Sequence, residues 1–304
     1  MIVEMPQTTV SKVGKRIQEL RDKGGVVSLG RVLTLVVETD FENLEAAVSC
    51  ANGASRLHPS RIIVLAQSPN GDEGPRLDAE IRVGGDAGAS EVIILRAKGE
   101  VLSNKESLVT GLLLPDAPVV AWWPSESPEN PYGTEIGQIA TRRITDSANE
   151  VRPMDYLQSL ARNYQPGDGD MAWTRITLWR SQLTALMDQH QNRKCLSAEV
   201  IGAADSPSAH LLAGWLRLNL GVPVALAETL EGERVTGIAG VRIEFDSGAL
   251  EMIRKNQVAY IAQPDAPDSS VLLPPRSDLD SLIEDMRFLG EDRGYAQVLL
   301  GEYC

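Results

Sequence analysis

The chain has 304 residues, 43% of them hydrophobic and 23% charged, which excludes a disordered segment, a collagen-like chain and a disulfide-stapled miniprotein and leaves room for two domains with cores of their own. Its 29 basic and 42 acidic residues give a formal net charge of -13, a sign that phosphate backbones and anionic lipid surfaces repel. The excess is spread along the chain, -5 over residues 1–152 and -8 over the remainder, so it describes a solvated surface and not an acidic tail.

Met1–Lys15 carries no apolar run of signal-peptide length, and no stretch approaches the roughly 18–20 apolar residues of a spanning helix, so a cytoplasmic protein is expected. Val10, Val13, Ile17 and Leu20 fall on one face of a helix over about Thr9–Lys23, which stops at Gly24-Gly25. Arg31–Glu38 is an apolar strand, Asp40 is placed to cap the helix that follows, and Arg61–Ala66 is a second strand, so this stretch reads as a parallel β-α-β unit. The loop Ser68–Pro75 precedes two strands, Leu77–Val83 and Glu91–Ala97, joined by a glycine-rich turn at 84–90. Ser103 and Glu106 have capping-box spacing ahead of a helix at Ser107–Leu114, and Ala117–Trp122 returns as a buried strand. A proline-rich loop from Trp123 to Gly133, a weak strand at Arg142–Asp146 and a helix from Pro153 to about Tyr164 complete the first half.

The segment Q-P-G-D-G-D at 165–170 breaks both periodicities, so the domains are expected at 1–167 and 168–304, with Asp168 and Asp170 read as linker solubility. A long helix over Met171–His190 follows, then a strand over Cys195–Ala203. Asp205-Ser206-Pro207 starts a helix with a buried stripe of Leu211, Leu212, Trp215 and Leu218, ended by Gly221, and Val222–Ala227 makes a second β-α-β unit. Alternation of Val241, Ile243 and Phe245 with Arg242 and Glu244 opens an antiparallel meander that continues through Ala249–Arg254 and Val258–Ala262. A proline-rich loop (264–275) leads to a helix from Ser277 and a last helix over about Arg293–Gly301. The expected class is α/β: two α/β domains, each with a mixed sheet, a β-α-β unit and flanking helices, the second with a meander.

Catalytic motifs are missing from the sequence. It has no G-x-x-x-x-G-K-[ST], no G-x-G-x-x-G between strand and helix and no G-x-S-x-G, and His58, His190 and His210 have no metal-ligand spacing. Cys50, Cys195 and Cys304 are far apart and read as reduced thiols, with the chain-terminal Cys304 the alternative as a redox sensor. Ser206, Ser208 and His210 form a candidate anion site at a helix N-terminus, against the plainer reading of Ser206 as a cap. Adjacent Trp122 and Trp123 must point to opposite faces of a strand, so one belongs to the core and the other meets solvent, the second domain or a partner. With Pro124, Arg175 and Arg180 they are the candidate partner contacts, tryptophan and arginine being the residues that dominate interface energetics.

Four segments resemble one family: G-G-V-V-S-L-G-R-V-L-T-L-V-V (24–37), L-L-L-P-D-A-P-V-V-A-W-W-P (112–124), D-M-A-W-T-R-I-T-L-W-R (170–180) and D-S-P-S-A-H-L-L-A-G-W-L (205–216). They are similar, in the same order along nearly the whole chain, to the OpcA family of glucose-6-phosphate dehydrogenase assembly proteins of the actinobacterial type. The resemblance implies a non-catalytic partner and allosteric activator of that dehydrogenase, without cofactor, supporting NADPH production in the oxidative pentose phosphate pathway. The rival is a sensor or enzyme that binds a sugar phosphate at Ser206–His210.

Overall fold

The computed structural model describes residues 1–24, 30–67, 74–83, 91–264 and 266–303. The expected glycine-rich turn at 84–90, most of the loop at 68–75, the Gly24-Gly25 stop and Cys304 lie wholly or partly outside them. In chain order the elements are β1 (Ile2–Met5), α1 (Val10–Gly24), β2 (Leu33–Asp40), α2 (Leu44–Ala54), β3 (Ser60–Gln67), β4 (Arg76–Arg82), β5 (Glu91–Lys98), α3 (Lys105–Thr110), β6 (Val119–Trp122), α4 (Glu135–Ile139), β7 (Arg142–Thr145), α5 (Pro153–Asn163) and β8 (Asp168–Asp170). They continue with α6 (Met171–Arg175), α7 (Thr177–Gln189), β9 (Cys195–Gly202), α8 (Pro207–Leu220), β10 (Val224–Ala227), β11 (Thr229–Leu230), β12 (Glu233–Arg234), β13 (Ile238–Phe245), β14 (Gly248–Lys255), β15 (Val258–Gln263), β16 (Ala266–Leu272), α9 (Asp278–Asp285) and α10 (Arg293–Tyr303). The chain forms two compact units that interleave: Met1–Asp146 with Asn163–Gly169 and Asp278–Glu291, and Ser147–Arg162 with Asp170–Ser277 and Asp292–Cys304.

The first unit is built on a sheet of order β1-β4-β5-β3-β2-β6-β7-β8. Strands β5, β3, β2, β6 and β7 run parallel, and β4 and β1 add antiparallel at one edge. The central strands are buried on both faces, which is why V-I-I-L and I-I-V-L runs replace alternation. Val13, Ile17 and Leu20 of α1 join Val36, Ile63, Leu65, Ile93 and Leu95 in one core cluster. The strand order reverses at β2: the chain goes from β2 out through β3 to β5, then returns to the other side of β2 as β6. That is the doubly wound arrangement, whose crevice opens where the order reverses.

The second unit has a sheet of order β10-β9-β13-β14-β15-β16, with β9 and β10 parallel and β13 to β16 an antiparallel meander. Helix α8 packs on β9 and β10 and against α6 and α10. Its ends follow the sequence: Ser206 caps, Pro207 opens the first turn, and Gly221 closes it in the left-handed conformation (φ 65°). The α/β class, the two mixed sheets with their β-α-β units and the meander are those expected from the sequence.

Several local expectations are corrected. Asn104, not Ser103, caps α3, accepting from Ser107 N. The long helix at 171–190 is two, broken at Ile176. Part of the supposed proline-rich loop at 264–275 pairs with β15 as β16. Leu218 is 52% exposed, and Leu216 takes its place in the core stripe. The 165–170 segment is not solvated linker: Asp168 and Asp170 are buried in β8, Asp168 paired with Arg143 and accepting from Gln165 N at 2.8 Å, Asp170 held by Ser147 and Ala172.

Candidate functional site

A crevice of about 230 Å³ opens at the carboxyl ends of β2, β3 and β6, where the strand order reverses. Strand β2 ends in Glu38, Thr39 and Asp40, and β3 in Gln67; Lys105 enters from the start of α3, and Trp123, Ser125 and Glu126 from the loop after β6. Glu38 is only 5% exposed, and its carboxylate accepts from Lys105 Nζ at 2.6 Å and from Gln67 Nε2 at 3.2 Å. Asp40 closes the turn into α2: its two oxygens accept from Asn43 N and Asn43 Nδ2, both at 2.7 Å. Burial raises the Asp40 pKa, but these bonds more than offset it and hold the carboxyl below its usual value. Thr39 Oγ1 and Ser125 Oγ are buried without a hydrogen-bond partner. Glu126 stands at the exposed rim with φ at 49°.

This is the place where a doubly wound fold holds a dinucleotide, and the residues do not fit one. The pyrophosphate needs small residues and free backbone N–H groups in the first β-α turn. Here the turn is Asp40-Phe41-Glu42-Asn43, without glycine, and the Asn43 N–H is already given to Asp40. With Glu38, Asp40 and Glu126 against Lys105, the crevice repels anions. Among the described residues, no group of three or more His, Cys, Asp or Glu is placed to hold a metal ion.

The sequence-derived candidates fall elsewhere than a free surface. Trp122 and Trp123 do point to opposite faces of their strand, but both faces are covered: the two are 2% and 3% exposed. Trp123 packs in the core cluster with α1 and also lines the crevice, while the Trp122 Nε1 is buried unpartnered. Pro124 is half-buried beside them. Arg180 lies over the Trp173 ring at 3.7 Å and donates to Thr177 Oγ1 at 3.1 Å, and Trp173 Nε1 donates to Asp292 Oδ2 at 2.8 Å. Arg175 is half-buried on α6. The helix start at α8 is likewise committed internally: Ser206 Oγ accepts from Ala209 N at 3.3 Å, Ser208 Oγ donates to Ala172 O at 2.9 Å, and a His210 ring nitrogen lies 2.9 Å from Ala204 O. These three side chains therefore satisfy backbone groups and present no ready cradle for an anion. The crevice residues Glu38, Gln67 and Lys105 escaped sequence reading. Only the strand-ending glutamate of an otherwise apolar run hinted at them.

The cysteines bear on redox control. Burial, reinforced by the charge of Asp278, pushes the Cys50 thiol up to about 12, and burial raises Cys195 as well. Near neutral pH the Cys50 thiolate is a minor species, on the order of one in ten thousand or fewer, and it is the thiolate that reacts. In a Cys304→Ser chain, iodoacetamide at pH 7.5 is expected to label Cys50 at least about 100-fold more slowly than it does in urea. Equal rates would show an accessible, reactive thiol.

Fold and crevice together define a two-unit α/β protein whose first unit keeps the doubly wound order but carries carboxylates in the turn that would bind phosphate. The chain belongs to the OpcA family: residues 51–162 match the model described as glucose-6-phosphate dehydrogenase subunit N-terminal domain, and residues 166–299 match its C-terminal counterpart. It is 26% identical over 184 residues to a protein of Synechocystis sp. strain PCC 6803 named as an OxPP cycle protein, OpcA, a match covering 57% of this chain and 38% of that one. The chain thus matches well under half the length of that relative. Among solved structures it is similar to biliverdin reductase of Synechocystis sp. PCC 6803, with biliverdin and NADP+ bound (TM-score 0.41, 8% identity, 90% of this chain and 99% of that one). It is also similar to an oxidoreductase of Thermotoga maritima (TM-score 0.40, 10% identity, 90% and 95%). No helix among the described residues is long and apolar enough to cross a membrane.

Proposed function

We propose that this chain is a non-catalytic assembly factor and allosteric activator of glucose-6-phosphate dehydrogenase, acting in the cytoplasm in the oxidative pentose phosphate pathway. What carries the reading is the pair of family models lying in series along the chain, both described as dehydrogenase subunit domains. The acidic turn after β2 supports the non-catalytic part, since a chain that performed the hydride transfer itself would need a dinucleotide cradle there. In the same reading the chain divides near Gly167, and the family models meet between residues 162 and 166. Activation then requires only that this chain bind the active state of the enzyme better than the inactive one; a coupling of about 1–3 kcal/mol corresponds to roughly 5–150-fold in apparent substrate affinity. The contact candidates are Trp123 first, then Trp122, Arg175 and Arg180, with Pro124 beside the tryptophans and the exposed Glu126 added from the crevice rim.

The experiment mixes the full chain with the dehydrogenase of the same organism and follows mass by light scattering and rate at sub-saturating substrate. A complex larger than either protein, together with a severalfold lower KM, is expected. Unchanged mass and unchanged kinetics would refute the reading; a stable complex with unchanged kinetics would leave a scaffold and refute activation.

A further inference from the structure

At the edge of the first unit opposite the crevice, three arginines converge on one carboxylate. The register of the parallel pair sets Arg61 of β3 beside Glu91 of β5. Arg31 stands just before β2, and Arg21 comes from α1. Glu91 Oε1 lies 2.7 Å from Arg61 Nε and 3.0 Å from Arg21 Nη2, and Oε2 lies 3.2 Å from Arg21 Nε and 3.5 Å from Arg31 Nη2. Arg61 also donates to Leu112 O at 2.5 Å. Among the described residues no second carboxylate pairs with any of the three, so these four residues carry two more positive charges than negative in a protein whose net charge is -13.

Arg21, 37% exposed, reaches solvent, and the rest of the cluster does not. The side chains of Glu91, Arg61 and Arg31 are 2%, 6% and 15% exposed, and Arg31 Nε is buried without a hydrogen-bond partner. Uncompensated charge in such a place is costly, and an unmade charged hydrogen bond adds to the cost. Both faults have one remedy: a dianion with oxygens spaced for guanidinium groups. We propose that this arginine cluster is a phosphate-binding site, taking inorganic phosphate or the phosphate of a monoester. The site is separate from the crevice, where the charge has the opposite sign, and its assignment does not depend on the partnership with the dehydrogenase.

The test is thermal unfolding and titration calorimetry of the full chain with three probes at matched ionic strength: sodium phosphate, glucose 6-phosphate and sodium chloride. Phosphate is expected to bind saturably and raise Tm where chloride does not. Arg31→Gln, which keeps donors but loses the charge, is expected to weaken phosphate at least about tenfold. Glu91→Gln removes the competing carboxylate; it is expected to be destabilised in chloride and to recover more Tm in phosphate than the parent chain gains. Arg21→Gln, at a side chain 37% exposed, serves if the Arg31 variant does not fold, with a smaller loss expected. Binding of both phosphate and glucose 6-phosphate supports a site open to esters, and binding of phosphate alone supports a site closed around the free ion. The proposal is overturned if phosphate acts no differently from chloride on the parent chain and on Glu91→Gln, or if both arginine variants bind phosphate as the parent does.

Discussion

Asp285→Ala is expected to destabilise the protein by about 3–5 kcal/mol, the cost of leaving a buried charge without its partner. Arg142 on β7 and Asp285 at the end of α9 are both 4% exposed, and the Asp285 Oδ1 accepts from Arg142 Nε at 3.0 Å and from Nη2. Arg142 Nη1 also donates to Asp168 O and Gly290 O, each at 3.4 Å, contacts too long to compensate a lost carboxylate. Gly169 is small for the same reason: a Cβ there would sit against the Arg142 guanidinium. The pair stabilises only as a pair, because its desolvation cost falls on both members. The double variant Arg142→Met with Asp285→Leu should therefore recover much of the loss, and Asp285→Asn, which keeps an acceptor and loses the charge, should fall between. Urea unfolding at constant m reads all three. A loss below about 1 kcal/mol for Asp285→Ala would show that water reaches the pair.

The features legible in the sequence were those set by local physics. One-sided burial leaves its period in α1 and α8, two-sided burial leaves continuous apolar runs in β2 and β3, and all four are legible within a residue or two; Ser206-Pro207 and Gly221 mark both ends of α8 by capping chemistry alone. What failed depended on neighbours distant in the chain. Trp122 and Trp123 were correctly sent to opposite faces, but nothing local says that both faces of that strand are covered. The break at Ile176 carries neither glycine nor proline to announce it. β16 carries one proline, Pro267, and is the edge strand of its sheet, where a proline is tolerated, so its composition resembles a loop. The crevice was invisible for a topological reason: Glu38, Lys105 and Trp123 are brought together by the reversal of strand order at β2, which no segment encodes by itself.

Asp170→Ala is the second large effect, expected at about 3–5 kcal/mol, and it tests a segment whose composition is that of a linker and whose structure is not. Asp170 is fully buried, and its carboxylate accepts from Ala172 N at 2.9 Å, Ser147 N at 2.9 Å and Ser147 Oγ at 2.7 Å. The first is the N-cap of α6, typically worth about 1 kcal/mol. The other two belong to Ser147, itself 0% exposed, and each buried donor left unmade costs about 1–3 kcal/mol. A glycine and a second acid next to Asp170 look like solubility, yet here the carboxylate is the acceptor that lets the turn at Ser147 and the start of α6 be buried at all. Asp170→Asn separates the contributions: its Oδ1 can still accept from Ala172 N and from Ser147 Oγ, while its amide replaces Oδ2 and faces the Ser147 N–H, donor against donor. It should keep the cap and the Ser147 Oγ bond and lose the Ser147 N–H bond, giving a ΔΔG of about 1–3 kcal/mol, below that of alanine. Amide hydrogen exchange at Ala172 and Ser147 distinguishes the cases. In the asparagine variant protection should persist at Ala172 and fall at Ser147, whereas in the alanine variant both should fall. Full protection at both sites in the alanine variant would mean that water has replaced the carboxylate and that the segment is as solvated as its composition suggests.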